Sequence, residues 1–467
     1  MSCLLRGLLE RCFSAERLDG LFERNAQEQY TRNLLFSTAC DLLLQVVLRV
    51  HPSPHAAYQA REDELNVSAS ALYDKLKGVE TAVSAALVRE TARDLGQIQE
   101  ALGVRRESWL PGYAIRIVDG NCLEASEKRV RVHRGVGGAA LPGKSLVVMD
   151  PGRGLLVDVF PCEDGHAQER SLLHAVLATV QAGELWMADR NVCTCGFLHG
   201  LHERGAYGLL RLHGGLPFTE LTPWGDVAET EEGQWVREQA IEVEGRRYRR
   251  IRVELTEPTR DGDRFIDVVT DLPETISAVT LAALYRKRWT LETAFQHLEK
   301  HFESEINTLA YPRAALFGFC LARVAYNVFQ VALAALDSAH PEPVSQTIST
   351  YYVGQEIAAT FLALLMLSEP EDWRFLAKLS PAEFAQWLRE VASGVNPKKY
   401  KKQGTRPQKA PTEDAPRSET SPRVDTAITS GANQHNDRSP GGYTLKGLAF
   451  CPYYAANLSS SFGGSET

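Results

Sequence analysis

Residues 113–120, YAIRIVDG, decide the fold: Tyr113, Ile115 and Ile117 alternate along the stretch, which runs into Asp119-Gly120. Alternation of period two marks a half-buried strand. Two more strands follow, KSLVVMD (144–150) and GLLVDVF (154–160), on either side of the turn Asp150-Pro151-Gly152. That turn signals a hairpin. A helix is expected over Glu169–Gln181, then a strand ELWMADR (184–190) ending at Asp189, a helix over about Cys195–Glu203 and a strand over Tyr207–His213. Three antiparallel strands, then helix, strand, helix, strand, make a mixed α/β sheet.

Beyond this block, residues 214–272 are rich in strands and turns. QWVREQAIEVEG (234–245), RRYRRIRVEL (246–255) and DRFIDVVTDL (263–272) read as paired strands. The middle one carries Arg246, Arg247, Arg249, Arg250 and Arg252. These form either a solvated edge strand that resists aggregation or a phosphate-contacting patch. Helical pattern returns at Thr275 and continues to about Leu388.

Upstream, residues 1–104 read as helical. Ala39, Leu42, Leu43, Val46, Val47 and Val50 keep helical spacing until Pro52 and Pro54 end the run. In NVSASALYDKLKGVE (66–80), Ser68 or Ser70 caps a short helix, Leu72 and Leu76 lie one turn apart, and Gly78 closes it. This is either the second half of a helix-turn-helix with Ser70, Tyr73 and Lys75 outward, or an ordinary amphipathic helix pair. After Asn396 hydrophobics thin out and the chain reads as a disordered or irregular tail, basic at its start. The expected divisions are therefore 1–104, 105–213, 214–272, 273–395 and 396–467.

The chain has 467 residues, enough for about three domains or for one core with large insertions. With 44% hydrophobic and 24% charged residues it is not a disordered, collagenous or coiled-coil chain. Arg6 and Glu10 interrupt the N-terminal apolar run too soon for a signal-peptide core. Nine irregularly spaced cysteines point to a reducing compartment rather than a disulfide framework. A net charge of −8 argues against a uniformly basic nucleic-acid binder and leaves binding to local surfaces. The segment Ala314–Leu336 is long enough to span a bilayer, but it contains Arg323, Asn327 and Gln330. A central charge costs about 2.5–3.5 kcal/mol on insertion, so a buried helix and no membrane association is the expectation.

Three acidic residues stand out: Asp119 and Asp189 at strand ends, and Glu292 in the helical stretch LAALYRKRWTLETAFQHLEKHF (281–302). Strand-end aspartates often only cap turns. If the three share one cleft, they repel each other unless a cation lies among them. Hard divalent ions suit such oxygen donors, and a pair of them clamps the attacking and leaving oxygens of a phosphoryl displacement. Cys193, Cys195, His199 and His202 form a second group of metal-ligand types, but their spacing fits structural zinc poorly. The expectation is packed cysteines and no stoichiometric zinc.

The segment Tyr285-Arg286-Lys287-Arg288-Trp289-Thr290-Leu291-Glu292 resembles the signature of bacterial DDE transposases of the insertion sequence 4 family, the Tyr-Arg-Glu-Lys type. Tyr285, Arg288 and Glu292 match its spacing; Asp119-Gly120 and Ala188-Asp189-Arg190 match the contexts of its two aspartates. The resemblance covers roughly residues 20–390, including a β-rich insertion before the Glu-bearing helix. It implies an RNase H-like mixed-sheet core with that insertion, preceded by an all-helical, DNA-binding N-terminal region. It further implies that Asp119, Asp189 and Glu292 hold two Mg²⁺ ions, Mn²⁺ being able to substitute, and that Tyr285 and Arg288 position phosphates at the element end. The implied partners are element-end and target DNA, with a dimer assembled on the DNA, in the bacterial cytoplasm at the nucleoid. The implied chemistry is cleavage at the element ends followed by transfer of the 3′-OH ends to target DNA. A stand-alone metal-dependent endonuclease and an inactive DNA-binding descendant are the alternatives. The sequence departs from the family at one signature position: the Lys expected seven residues after the Glu is Glu299 here, and Lys300 follows it. Seven helical steps return nearly to the face of Glu292, whereas eight land roughly 80° away. The Lys role therefore falls either to Lys300 or, preferably, to Arg286 or Lys287.

Overall fold

The computed structural model describes residues 1–29, 33–104, 106–123, 143–231, 233–258, 262–349, 352–356 and 371–402, apart from the side chains of 297–299. Six helices come first: α1 (Ser2–Phe13), α2 (Ala15–Asn25), α3 (Phe36–Val47), α4 (Pro54–Gln59), α5 (Ala69–Gly78) and α6 (Thr81–Leu102). Ser68 caps α5 by accepting from the Ala71 N–H, and α6 stops at Gly103, whose φ of 72° is left-handed. Lys75 does not point outward. It is buried with its ammonium 3.9 Å from the centre of the Phe22 ring, because its long stem and a facing aromatic make burial tolerable. Ser70 is exposed and Tyr73 half-buried.

The strands are β1 (Ala114–Cys122), β2 (Lys144–Asp150), β3 (Leu155–Cys162), β4 (Glu184–Ala188), β5 (Tyr207–Arg211), β6 (Thr219–Glu220), β7 (Ala228–Glu229), β8 (Trp235–Val243), β9 (Arg246–Glu254) and β10 (Phe265–Thr270). Interleaved or following are α7 (Leu173–Leu177), α8 (Cys195–Glu203), α9 (Ala278–Arg286), α10 (Thr290–His301), α11 (Pro312–Ala339), α12 (Glu371–Lys378) and α13 (Pro381–Ser393). The expected helix 169–181 is shorter: a 3₁₀ turn, Glu169–Leu172, leads into the single turn and a half of α7.

All ten strands form one mixed sheet in the order β3-β2-β1-β4-β5-β10-β9-β8-β6, with β7 on β8. β1 runs parallel to β4, and β4 to β5; the other pairs are antiparallel. The β-rich segment is thus not a separate sheet, because β10 pairs directly with β5, Val268 opposite Arg211. Nor is the arginine strand an edge: β9 lies between β8 and β10. Alternation splits its charges between two faces. Arg249, on the core side with Ile251, is buried; it donates to both Glu238 oxygens at 2.6 and 2.8 Å and to the carbonyls of Leu272, Pro273 and Ile276. Arg250 and Arg252 share Asp267, Arg246 pairs with Glu203 and Arg247 with Glu274. Every arginine of the run already has a carboxylate of this chain as its partner.

Two apolar layers cover the sheet. One contains Ile115, Ile117, Met187 and Leu209 with the N-terminal helices and α11; the other contains Val118, Ala188 and Leu210 with α7 and α8. By length and composition α11 could cross a membrane, but 94% of its most apolar window is buried inside the protein. Two polar residues let it pack there. Arg323 donates to its own helix at Phe319 O, 3.1 Å. Asn327 exchanges two hydrogen bonds of 2.8 Å with the backbone N–H and C=O of Leu156. β3 is the outermost strand on that side, so Asn327 supplies the pairing that a further strand would have given.

Of the expected tail, residues 397–402 are anchored: a 3₁₀ turn covers Pro397–Tyr400, Tyr400 is buried, and Lys401 bridges to Ile348. A buried aromatic among four lysines outweighs the polar composition of that stretch. Residues 403–467 lie outside the described residues.

Candidate active site

Two adjacent parallel strands bring the first two carboxylates together. The pairing of β1 with β4 ends at Val118 opposite Ala188, so Asp119 and Asp189 are the next residue on each strand. Asp119 does not end β1. On its other side the strand continues, Asp119 opposite Val147, as far as Cys122 opposite Lys144. By alternation Asp119 shares the face of Ile117, and so lies under α9 and α10.

Glu292 comes from the opposite direction, and not from one continuous helix. The stretch 281–302 breaks into α9, a 3₁₀ turn Lys287–Trp289, and α10. Tyr285 therefore sits in the last turn of α9, Arg288 in the 3₁₀ turn and Glu292 in the first turn of α10. The hydroxyl of Tyr285 donates to Ala188 O at 3.3 Å, which ties the end of α9 to the end of β4. Burial pushes the Tyr285 phenol up, so it remains a neutral hydroxyl at any ordinary pH.

Arg288 stands at the centre. Its Nη1 donates to Asp119 Oδ2 at 2.9 Å and its Nη2 to Glu292 Oε1 at 2.9 Å, while the residue as a whole is only 6% exposed. Asp189 has its own arginine: Arg211, the last residue of β5, places Nη1 3.7 Å from Asp189 Oδ1 and donates from Nη2 to Asp263 at 2.9 Å. Burial pushes the Asp119 carboxyl up to about 6; Arg288 and the Gly120 N–H oppose this, and the negative charges of Glu292 and Asp189 add to it. That mutual influence places the three acids in one electrostatic neighbourhood. Among the described residues, no three His, Cys, Asp or Glu side chains gather closely enough to ligate one ion as they stand.

The other signature residues lie around this centre. Arg286 donates to Gln234 Oε1 at 3.2 Å, and the Lys287 ammonium lies 5.4 Å from the centre of the Trp109 ring. Lys300 is exposed, and Arg49 donates to its carbonyl at 3.1 Å. The side chain of Glu299 lies outside the described residues. At the second cluster, Cys193 is buried and its thiol pushed up to about 11 by that burial. His199 faces the hairpin turn, with Nδ1 3.6 Å from Glu244 and Nε2 3.2 Å from Val243 O, while His202 pairs with Asp271.

Sequence reasoning passed over two contributors. Arg211 is one; its signal was its place at the end of the strand next to Asp189's. The other is the turn Glu169–Leu172. The Glu169 carboxylate packs directly on Gly120, so closely that a methyl there would push this flexible side chain aside. Its neighbour Arg170 donates to Asn191 O at 3.0 Å, two residues past Asp189. One turn thus contacts the chain just after both aspartates, and no local pattern in the sequence announces it.

Residues 110–328, which span all three carboxylates, match the family described as the transposase DDE domain. Among solved structures, the cryo-EM structure of the piggyBac transposase synaptic complex with hairpin DNA aligns with 83% of this chain and 84% of its own, at 10% identity and a TM-score of 0.33. No curated protein matches the chain.

Proposed function

We propose that the chain is a DNA transposase of the insertion sequence 4 type with an RNase H-like core, which cleaves the ends of a mobile element and joins the freed 3′-OH ends to target DNA. The observation that carries this reading is that buried Arg288 bridges Asp119 and Glu292 while Arg211 lies beside Asp189, within the segment that matches the transposase DDE domain. Divisions at about 104, 213, 272 and 395 and a dimer assembled on DNA belong to the same reading, as does a cytoplasmic location.

The donor set fits a divalent cation chemically. The three side chains are hard, anionic oxygen donors, and the space between Asp119 and Glu292 already demands positive charge, at present that of Arg288. Asp119, Asp189 and Glu292 would hold two Mg²⁺ ions, or Mn²⁺ in their place. Those ions would supply positive charge against the phosphodiester oxygens on which charge develops. The chain's own residues do the positioning. Tyr285 locks α9 to the end of β4 and so fixes the distance between Glu292 and the two aspartates. Arg288, with the neighbouring Arg286 and Lys287, offers guanidinium and ammonium groups to phosphates, Arg288 by charge-assisted hydrogen bonds. Lys300, exposed on α10, is the alternative to Arg286 and Lys287 for a phosphate contact.

The test is purified protein with DNA carrying the element ends and Mg²⁺. Nicking and strand-transfer products are expected. Asp119→Ala, Asp189→Ala and Glu292→Ala should each lower cleavage by at least about a thousandfold while leaving end-binding within about threefold. Cleavage without strand transfer would favour the endonuclease, binding without cleavage the inactive descendant, and cleavage retained in any one variant would remove that residue from the site.

A further inference from the structure

Each carboxylate of the proposed site is already paired with an arginine of the same chain: Asp119 and Glu292 with Arg288, and Asp189 with Arg211. Three negative charges therefore meet two positive ones before any ligand arrives. The two arginines are not equivalent. Arg211 reaches Asp189 at 3.7 Å and is held more closely by Asp263, at 2.9 Å. Arg288 is a bridge, spending one nitrogen on each carboxylate at 2.9 Å, and its side chain is only 8% exposed against 23% for Asp119 and 45% for Glu292.

From this geometry we infer that Arg288 is a built-in counter-ion which competes with the divalent cation for Asp119 and Glu292, and that a DNA phosphate, by drawing Arg288 away, opens the site to the metal. The inference rests on the proposed function and adds its regulation. A cation placed between Asp119 Oδ2 and Glu292 Oε1 meets the guanidinium, since those two oxygens are the ones it holds. The guanidinium must leave as the cation enters. Phosphate is the chemical group best able to take it, because planar guanidinium binds phosphate and carboxylate in the same two-pronged way. The chain allows the movement. Arg288 sits on a three-residue 3₁₀ turn between two helices, a geometry with weaker hydrogen bonds than an α-helix, and the half-exposed Glu292 gives an open side. The metal would then load on the DNA complex rather than on free protein. By linkage, the factor by which DNA tightens metal binding is also the factor by which metal tightens DNA binding.

The experiment measures Mn²⁺ binding to the full chain from the free-ion electron paramagnetic resonance signal, with and without a short DNA duplex. Asp119→Asn protein with the same duplex serves to subtract ions bound elsewhere. For wild type, DNA should tighten the Asp119-dependent site by at least about tenfold, roughly 1.4 kcal/mol. Arg288→Met should bind Mn²⁺ at least about tenfold more tightly than wild type without DNA, and DNA should add little more. Arg288→Lys keeps the charge but lacks the fork, and should fall between the two; it also serves if the Met variant does not fold. Affinities for Arg288→Met within twofold of wild type would overturn the inference, as would a wild-type affinity that DNA leaves unchanged. An Arg288→Lys value equal to wild type would also overturn it, since the field of the charge rather than the bridge would then be at work. No Asp119-dependent binding in any variant, with or without DNA, would overturn the metal-site reading beneath it.

Discussion

Replacing Asn327 with Leu should unfold the protein more readily without touching its chemistry. The two residues have similar volumes, so the change leaves no large cavity. What it removes is a pair of 2.8 Å hydrogen bonds to the N–H and C=O of Leu156, in a place where both residues are fully buried. Each stranded backbone group costs about 1–3 kcal/mol, and burying the leucine methyls returns about 1–2 kcal/mol. A net loss of about 3 kcal/mol follows. Urea unfolding read by tryptophan fluorescence would register it as a midpoint lowered by about 1 M, taking a slope near 3 kcal/mol/M. Asp119 lies two strands away from β3, so DNA cleavage at 20 °C should be within about twofold of wild type. A loss below about 1 kcal/mol would refute the claim that Asn327 pairs an otherwise orphaned strand edge.

Two further outcomes follow from other buried polar groups. Arg249→Met should cost about 3 kcal/mol in the same assay, since it strands Glu238 and three carbonyls, and should speed proteolysis between Leu272 and Ile276; Glu238→Gln should cost less. Glu80 accepts from the N–H groups of Gln27, Glu28 and Gln29; burial alone would raise its carboxyl, but these bonds outweigh it and hold the carboxyl below its ordinary 4.5. Its contribution is thus complete above pH 4.5 and is lost as pH falls through the lower folded value. Glu80→Gln should cost about 1–2 kcal/mol at pH 7, and the gap from wild type should close on acidification; a gap constant down to pH 3 would contradict this.

The sheet was legible because its strands alternate cleanly: Ile115 and Ile117 face one layer and Val118 the other. What alternation cannot report is where pairing stops. Asp119 looks like a strand end because Asp-Gly breaks strands, yet on the β2 side pairing continues to Cys122. The break between α9 and α10 was invisible for the opposite reason, since YRKRWTLE contains neither Gly nor Pro. Charged residues misled most. Lys75 and Arg249 read as solvent-facing because their burial depends on distant partners, Phe22 for one and Glu238 for the other. The three acids of the proposed site were picked out by position and motif, and the structure sets two of them, Asp119 and Glu292, on one arginine. That engagement of Arg288 was not legible, because sequence spacing says what can be neighbours and not which neighbour a side chain chooses.

The pairing of β10 with β5 has a consequence for how such a chain could be shortened or grafted. The segment between β5 and α9 extends the same sheet through β6 to β9, and its last strand, β10, lies against β5, Val268 opposite Arg211. Excising all of 214–272 would strip β5 of its neighbour and lay bare a row of unpaired amides beside Asp189. A cut that spares 263–272 removes β6 to β9, keeps β5 paired with β10 and moves the open edge to β10. The natural seam for trimming or exchanging this appendage therefore runs on the far side of β10.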